Sequence, residues 1–341
     1  MHNFITYYLG SGLLGSVVSS LLPFVWVMTY ALIAIYLELK ISAHMQDRLG
    51  PMRTGKWHGW AQPLADVTKL LQKEDTIPKA ADKALYVLAP VLVFVGSYAA
   101  YAAIPFSPAY IGANINLGVF YIIAVSAIIV LGILMAGWAS NNKWSLLGAM
   151  RTAAQLVSYE IPSSLAILAV VMVVGSFNLN DVCAAQSGWF WNWFVFGKFP
   201  FLFITFIIYF TASLAETNRA PFDIPEAESE LVAGYHTEYS GMRFAVFFLA
   251  EYANMFTVAA VASVLFFGGW NSPFGTFMSG PVWGAFWLIS KGMALVFVQM
   301  WLRWTLPRFR VDQLMYLSWK VLTPFALFNI FAVGLWMVLR G

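Results

Sequence analysis

An all-α, multi-pass membrane fold is what this sequence predicts, and three observations predict it. The 341 residues are 60% hydrophobic and only 10% charged, well below the quarter that a soluble domain carries. Apolar stretches of about 20 residues recur along the chain, the length that crosses a hydrocarbon core as a helix. None of them shows the ten-residue alternation of a membrane β-barrel, and within lipid only helices and closed barrels satisfy the backbone.

Taken in order, the first apolar stretch centres on Pro23 to Leu37, after a lead-in with no Lys or Arg before residue 17 and hence no basic signal-peptide region. Further stretches fall at about 84–106, 118–139, 152–175, 199–216, 244–268, 282–302 and 321–339, which makes eight expected spans in a single membrane domain over 1–341. Lys and Arg are distributed unevenly between them. Loops 40–83, 139–151, 216–243 and 303–320 hold 8, 2, 2 and 4 of the 19, whereas the alternate loops and termini hold only Lys198 and Arg340. The positive-inside rule therefore places those four loops in the cytoplasm and both termini in the periplasm of a bacterial inner membrane.

Within loop 40–83, Trp60, Leu64, Val67 and Leu71 recur at helical spacing opposite Asp66, Lys69 and Lys73. This pattern predicts an amphipathic helix, either on the membrane surface or packed on a partner. In the opposite loops, Trp189, Trp191 and Trp193 read as interface anchors.

The most polar run is the loop 214–243, SLAETNRAPFDIPEAESELVAGYHTEYSGMR from Ser213, with Glu216, Asp223, Glu226, Glu228, Glu230 and Glu238 against Arg219 and Arg243. Pro225 suits a first helical turn, and Glu226 and Glu228 suit its positive end. Glu226 and Glu230, four apart, would share a face and raise each other's proton affinity. Such a cluster can take up and release protons; an isolated acidic loop can equally be a solvated face. Inside the spans, Glu160, Glu251 and Lys291 are ionisable groups in lipid and so site candidates, with a Glu251–Lys291 charge pair as the structural alternative.

Several chemistries are excluded. The one cysteine, Cys183, forms no internal disulfide and no thiolate metal or cluster site. The four histidines lie in loops or at the terminus, not paired across spans as haem ligation requires, and there is no phosphate loop, HExxH or GxSxG. No cofactor is expected to be bound by this chain, nor any metal or nucleic acid. Buried Glu and Lys in eight spans would also suit a secondary transporter, although no internal repeat is apparent. A purely structural membrane anchor is the third reading.

The loops resemble a known family. ELKISAHMQDRLGPMRTG, QPLADVTKLLQKEDTIPKAADK, GWASNNKWSLLGAMRTAAQLVSYEIP, LAETNRAPFDIPEAESELVAGYHTEYSGMRFAVFFLAEYANM and LPRFRVDQLMYLSWK together resemble one membrane subunit of respiratory NADH:quinone oxidoreductase (complex I), the one numbered 1 in mitochondria and lettered H in bacteria. The resemblance covers most of residues 38–320; Leu39, Met52, Thr54 and Val311 depart from it. It implies a non-redox subunit that forms part of the quinone chamber and couples quinone reduction to proton translocation. Glu216, Arg219, Asp223, Glu226, Glu228 and Glu230 would line the chamber and its acidic funnel, with Glu160 and Glu251 continuing it inward. Arg48, Arg53 and Lys56 would lie near the quinone entrance, close to the first span, the surface helix and the sixth span. FMN and iron–sulfur clusters would reside in partner subunits of the hydrophilic arm, and the other neighbours would be small membrane subunits of the pump and lipids. A sister complex of the hydrogenase or ferredoxin type would use the same kind of subunit.

Overall fold

The computed structural model describes residues 13–224 and 231–340. Twelve α-helices account for most of them: α1 (Leu13–Met45), α2 (Gln62–Gln72), α3 (Lys83–Ala99), α4 (Gly118–Ala139), α5 (Lys143–Val174), α6 (Leu179–Ala184), α7 (Phe194–Gly197), α8 (Phe201–Glu216), α9 (Gly241–Phe266), α10 (Pro281–Thr305), α11 (Val311–Tyr316) and α12 (Thr323–Arg340). A π-helical segment, Leu317–Leu322, joins α11 to α12 into one rod. Among the described residues, seven helical rods are long and apolar enough to cross a membrane: those of α1, α3, α4, α5, α9, α10 and the joined α11–α12. The fold is therefore all-α and multi-pass. The eighth expected span, 199–216, forms α8, a helix of 16 residues. At 1.5 Å per residue it is about 24 Å long, short of a typical hydrocarbon core of about 30 Å.

Several helices run past the apolar stretches that predict them. The stretch expected at 152–175 begins at Lys143, where Asn142 caps the first turn by accepting from the Trp144 amide. Polar residues from 143 to 151 do not interrupt a helix that is already capped and packed. Glu160 thus lies 17 residues into α5, about 26 Å from its start. The loop expected at 303–320 is likewise mostly helical, with only residues 306–310 outside α10, α11 and the π-helical segment.

Helix α9 is the hub. It packs on α1, α3, α8 and α10, and Ala250, Ala253, Ala259, Ala260 and Ala262 are buried along it. Small side chains let backbones approach where no hydrophobic drive separates protein from lipid, so association rests on close packing and hydrogen bonds. Helix α5 carries the second set of contacts, to α4, α8 and α12 and to the short 3-10 turn Gly234–His236 of the acidic loop. The last of these is a backbone crossing: a Cβ on Gly148 would stand 2.8 Å from the Gly234 Cα.

Helix α2 confirms a helix where the periodicity of residues 60–71 expects one. It packs on α1 and α9 and leaves Leu64 and Leu71 exposed. At the far end of the bundle, Trp189 and Trp191 are exposed, but Trp193 is 8% exposed. Its ring lies beneath the Lys291 ammonium at 4.1 Å, so Trp193 is a packing residue rather than an interface anchor.

Candidate functional site

The acidic loop is held at the bundle by hydrogen bonds from α5. The buried Gln155 donates through Nε2 to the carbonyls of Ala215 and Phe222, both at 2.8 Å. Phe222 packs edge-on against Tyr159, whose hydroxyl donates to the Leu314 carbonyl at 2.9 Å. On the other side, the Phe309 amide donates to the Pro221 carbonyl. The turn 217–223 is thereby clamped between α5 and the segment preceding α11, and Arg219 is turned inward.

Arg219 is 4% exposed and sits between two carboxylates. Its Nη1 lies 2.8 Å from Glu38 of α1 and its Nε 2.9 Å from Glu251 of α9. The Tyr252 hydroxyl donates to the second Glu38 oxygen at 2.7 Å, and the Arg219 guanidinium stacks 4.7 Å over the Tyr252 ring. Arg303 at the end of α10 also pairs with Glu38. Burial works against the Arg219 charge, but Glu251 and Glu38 outweigh it and hold the guanidinium protonated well above its ordinary range. Two carboxylates against two guanidiniums make a buried network that is balanced in formal charge.

Toward the basic-loop end, this network faces an open pocket of about 670 Å³. Asp223, His236, Phe244, Phe248, Arg303 and Arg308 are among its walls, and Arg308 pairs with Asp223 at 3.5 Å. His236 is buried against Phe244 and Phe248. Burial pushes its pKa down to about 4, so it is a neutral group there. A pocket of this size, walled by aromatic, polar and charged groups, has room for a small organic ligand.

Toward the interior, the path continues through Glu216. Its carboxylate accepts from Ser163 Oγ at 2.7 Å, and its carbonyl accepts from Asn254, one turn beyond Glu251 on α9. Glu216, Glu160, Ser163 and Asn254 line one small cavity of about 40 Å³ among α3, α4, α5, α8 and α9. This is room for a few water molecules. From the pocket inward the chain therefore places Asp223 and Arg303, then Glu38, Arg219 and Glu251, and, joined to α9 through Asn254, Glu216 and Glu160 at the cavity.

The structure thus brings together five of the residues singled out from the sequence: Glu160, Glu216, Arg219, Asp223 and Glu251. Glu226, Glu228 and Glu230 lie outside the described residues. Arg48, Arg53 and Lys56 are exposed on the loop between α1 and α2, apart from the network. Lys291 does not pair with Glu251. Its ammonium donates to the carbonyls of Phe267, Gly269 and Asn271 at 2.6–2.9 Å, beyond the end of α9, while Glu251 pairs with Arg219. Antiparallel packing sets Lys291 just past the C-terminal end of α9, whereas Glu251 lies in its N-terminal half.

Sequence reasoning misses Glu38, Tyr252, Arg303 and Gln155. The signal for Glu38 was available: it is a single carboxylate flanked by leucines in AIYLELK. Among the described residues, no group of three or more His, Cys, Asp or Glu side chains is arranged to hold a metal ion.

Comparison with known proteins adds the remaining finding. Residues 18–334 match the family model described as NADH dehydrogenase. The chain is 57% identical over 336 residues to the H subunit of NADH-quinone oxidoreductase from Chlorobaculum parvum, covering 95% of this chain and 93% of that one. It is 58% identical over 335 residues to the protein of the same name from Chlorobium luteolum, covering 95% and 90%. With that of a Geobacillus species it is 50% identical over 309 residues, covering 90% and 89%.

Proposed function

The chain belongs to the NADH dehydrogenase family, together with the H subunits of bacterial NADH-quinone oxidoreductases, and from that premise we propose that it forms part of a quinone chamber and couples quinone reduction to proton translocation. The observation that carries this reading is the buried charge network that joins the open pocket, through Arg219, to Glu251, with the cavity shared by Glu216 and Glu160 reached through Asn254 one turn further along α9.

Reduction of a quinone to a quinol takes two electrons and two protons. The electrons arrive from iron–sulfur clusters, and before them FMN, held by partner subunits of a hydrophilic arm. The protons change the charge at the pocket. Asp223 and Arg308, on its wall, are the first groups to feel that change. Arg303 shares Glu38 with Arg219, so a shift at the pocket alters the pairing of Glu38. Arg219 then leans on Glu251, and Glu251 acts on Glu216 along α9, where Asn254, one turn beyond Glu251, donates to the Glu216 carbonyl. Arginine suits the centre of such a relay because its guanidinium stays charged while carboxylates change state. The relay is a coupling free energy between two sites rather than a continuous wire. Glu226, Glu228 and Glu230 form the chamber's acidic funnel and titrate with Glu216 as a coupled set.

The polar loops are cytoplasmic, both termini are periplasmic, and α8 completes an eighth crossing in a bacterial inner membrane, its short length accommodated by the helices that surround it. Exposed Arg48, Arg53 and Lys56, with exposed Leu49 and Trp57 beside them, offer a docking surface for the arm. Helix α2, with Leu64 and Leu71 outward, lies on the membrane surface at the quinone entrance. The remaining neighbours are small membrane subunits of the pump and lipids.

The test is purification from native membranes in mild detergent, with identification of the co-purifying chains and a quinone-dependent NADH oxidation assay. The reading requires co-purification with flavin and iron–sulfur subunits, and a loss of quinone reduction in Arg303→Met or Asp223→Asn complexes that remain assembled. Migration as a small particle without redox partners contradicts it and favours a transporter.

A further inference from the structure

Four buried tyrosines of this bundle give their hydroxyl hydrogen to the backbone. Tyr86, Tyr101, Tyr159 and Tyr209 donate to the carbonyls of Glu238, Ala253, Leu314 and Val258 at 2.7–3.2 Å. Tyr252 is different. It is 6% exposed, its hydroxyl donates to a carboxylate, Glu38 Oε2, at 2.7 Å, and the Arg219 guanidinium lies 4.7 Å over the centre of its ring. One side chain therefore touches both members of the Arg219–Glu38 ion pair. It also follows Glu251, the other partner of Arg219, directly in α9.

The donors around Glu38 are doubled. Oε1 accepts from Arg219 Nη1 and from Arg303 Nη1, while Oε2 accepts from Arg219 Nη1 at 3.0 Å and from Tyr252. Each oxygen thus keeps a donor when Arg219 withdraws. Glu251 has no such reserve, because among the described residues Arg219 is its one salt-bridge partner. A buried carboxylate stripped of its partner is strongly disfavoured. Arg219 can therefore leave Glu38 at modest cost, but it cannot leave Glu251. The Tyr252 ring favours the same outcome: an aromatic face holds a cation, and the N–H edge of the guanidinium stays free to change acceptors.

We propose that Tyr252 is a positioning residue for the relay, its hydroxyl keeping Glu38 satisfied and its ring retaining the guanidinium, so that the Arg219–Glu38 contact is the one that opens and closes as the pocket changes charge. This deepens the coupling role proposed above and rests on it. Arg303 supports Oε1 from the pocket side, and Tyr252 supports Oε2 from α9. Tyr252 takes part in no bond-breaking step.

Tyr252→Phe in the assembled complex removes the hydroxyl and keeps the ring. While the pair is closed, Oε2 still has Arg219 Nη1; when it is open, Oε2 has lost its remaining donor. The loss therefore falls on the open state, and only a difference between two states changes the rate of passing between them. We expect kcat for quinone reduction to fall about ten-fold, the factor for losing one hydrogen bond to a charged group, with the KM for quinone unchanged. Tyr252→Leu, which removes the ring as well, should fall further and translocate fewer protons per quinone.

A double-mutant cycle with Glu38→Gln separates this role from packing. A tyrosine that acts through Glu38 adds little further loss in the Glu38→Gln chain, whereas one that only fills space between α1 and α9 costs the same in both backgrounds. Unchanged kcat in Tyr252→Phe, a loss confined to KM, or an equal loss in both backgrounds overturns the proposal. Failure of Tyr252→Phe to assemble also overturns it, since the hydroxyl is then a clamp on the bundle. Where Glu38→Gln turns over too slowly to be read, kcat and KM of Tyr252→Phe decide alone. Glu251→Gln tests the reading beneath. Normal coupling in Glu251→Gln sinks the relay and this proposal with it; impaired coupling there beside a normal Tyr252→Phe sinks this proposal alone.

Discussion

Replacing Arg219 by methionine isolates what the central guanidinium does, because it removes the charge and keeps much of the side-chain volume. Two carboxylates, Glu38 and Glu251, depend on it at 2.8 and 2.9 Å. Glu38 retains Arg303 as a partner, and that side chain is 25% exposed and can be partly hydrated. Glu251 keeps no salt bridge among the described residues. Breaking a buried ion pair by removing one partner costs about 3–5 kcal/mol, since the other charge is left uncompensated. One such loss is expected here, as the second is cushioned by Arg303. Substituting Glu38→Gln and Glu251→Gln in the same chain removes the stranded charges, and replacing a whole buried network by neutral groups is often close to neutral. Thermal inactivation of the assembled complex reads both. Arg219→Met should lower the midpoint by several degrees, and the triple variant should recover most of that. The triple variant should nonetheless remain uncoupled in proton-pumping vesicles. A triple variant as unstable as Arg219→Met, or one that pumps normally, refutes the reasoning.

Other perturbations separate structural from functional groups. Lys291→Met leaves three carbonyls without their ammonium donor and should cost about 2–5 kcal/mol of stability, seen as a lower inactivation midpoint with the ratio of protons to electrons unchanged. Gly148→Ala sets a methyl against the Gly234 backbone. It should displace the acidic loop and lower quinone turnover, checked beside increased hydrogen exchange over residues 231–239. His236 is neutral and buried with its pKa pushed down to about 4, whereas an unfolded histidine binds its proton near 6.5. Its contribution to loop stability is therefore fully present above pH 6.5 and lost as pH falls toward 4, amounting to about 3 kcal/mol. Hydrogen exchange of the loop should speed up across that window in wild type and much less in His236→Phe.

Much of this was legible in the sequence because lipid imposes a simple rule. Helices α4 and α9 fall within a few residues of their apolar runs, since a run of that length has no other way to satisfy its backbone. What the runs do not mark is where helices end. Glu38 and Arg303 look like loop charges because they follow the last apolar residues of their spans, yet α1 continues to Met45 and α10 to Thr305. Both therefore face the bundle at the level of Arg219. Partner choice is equally invisible. Glu251 and Lys291 are the obvious opposite charges in adjacent spans, but antiparallel packing puts each beside a different group. Glu216, Arg219 and Asp223 were legible because their density and spacing in the loop already suggest an ordered acidic site.

The most direct test of the central claim is the number of protons translocated per quinone reduced in reconstituted complexes carrying Glu216→Gln or Glu160→Gln. These residues line the interior cavity and do not line the open pocket. The account predicts that quinone still binds with its normal KM while the ratio and the coupled rate fall together. A normal ratio at a normal rate in both variants contradicts it.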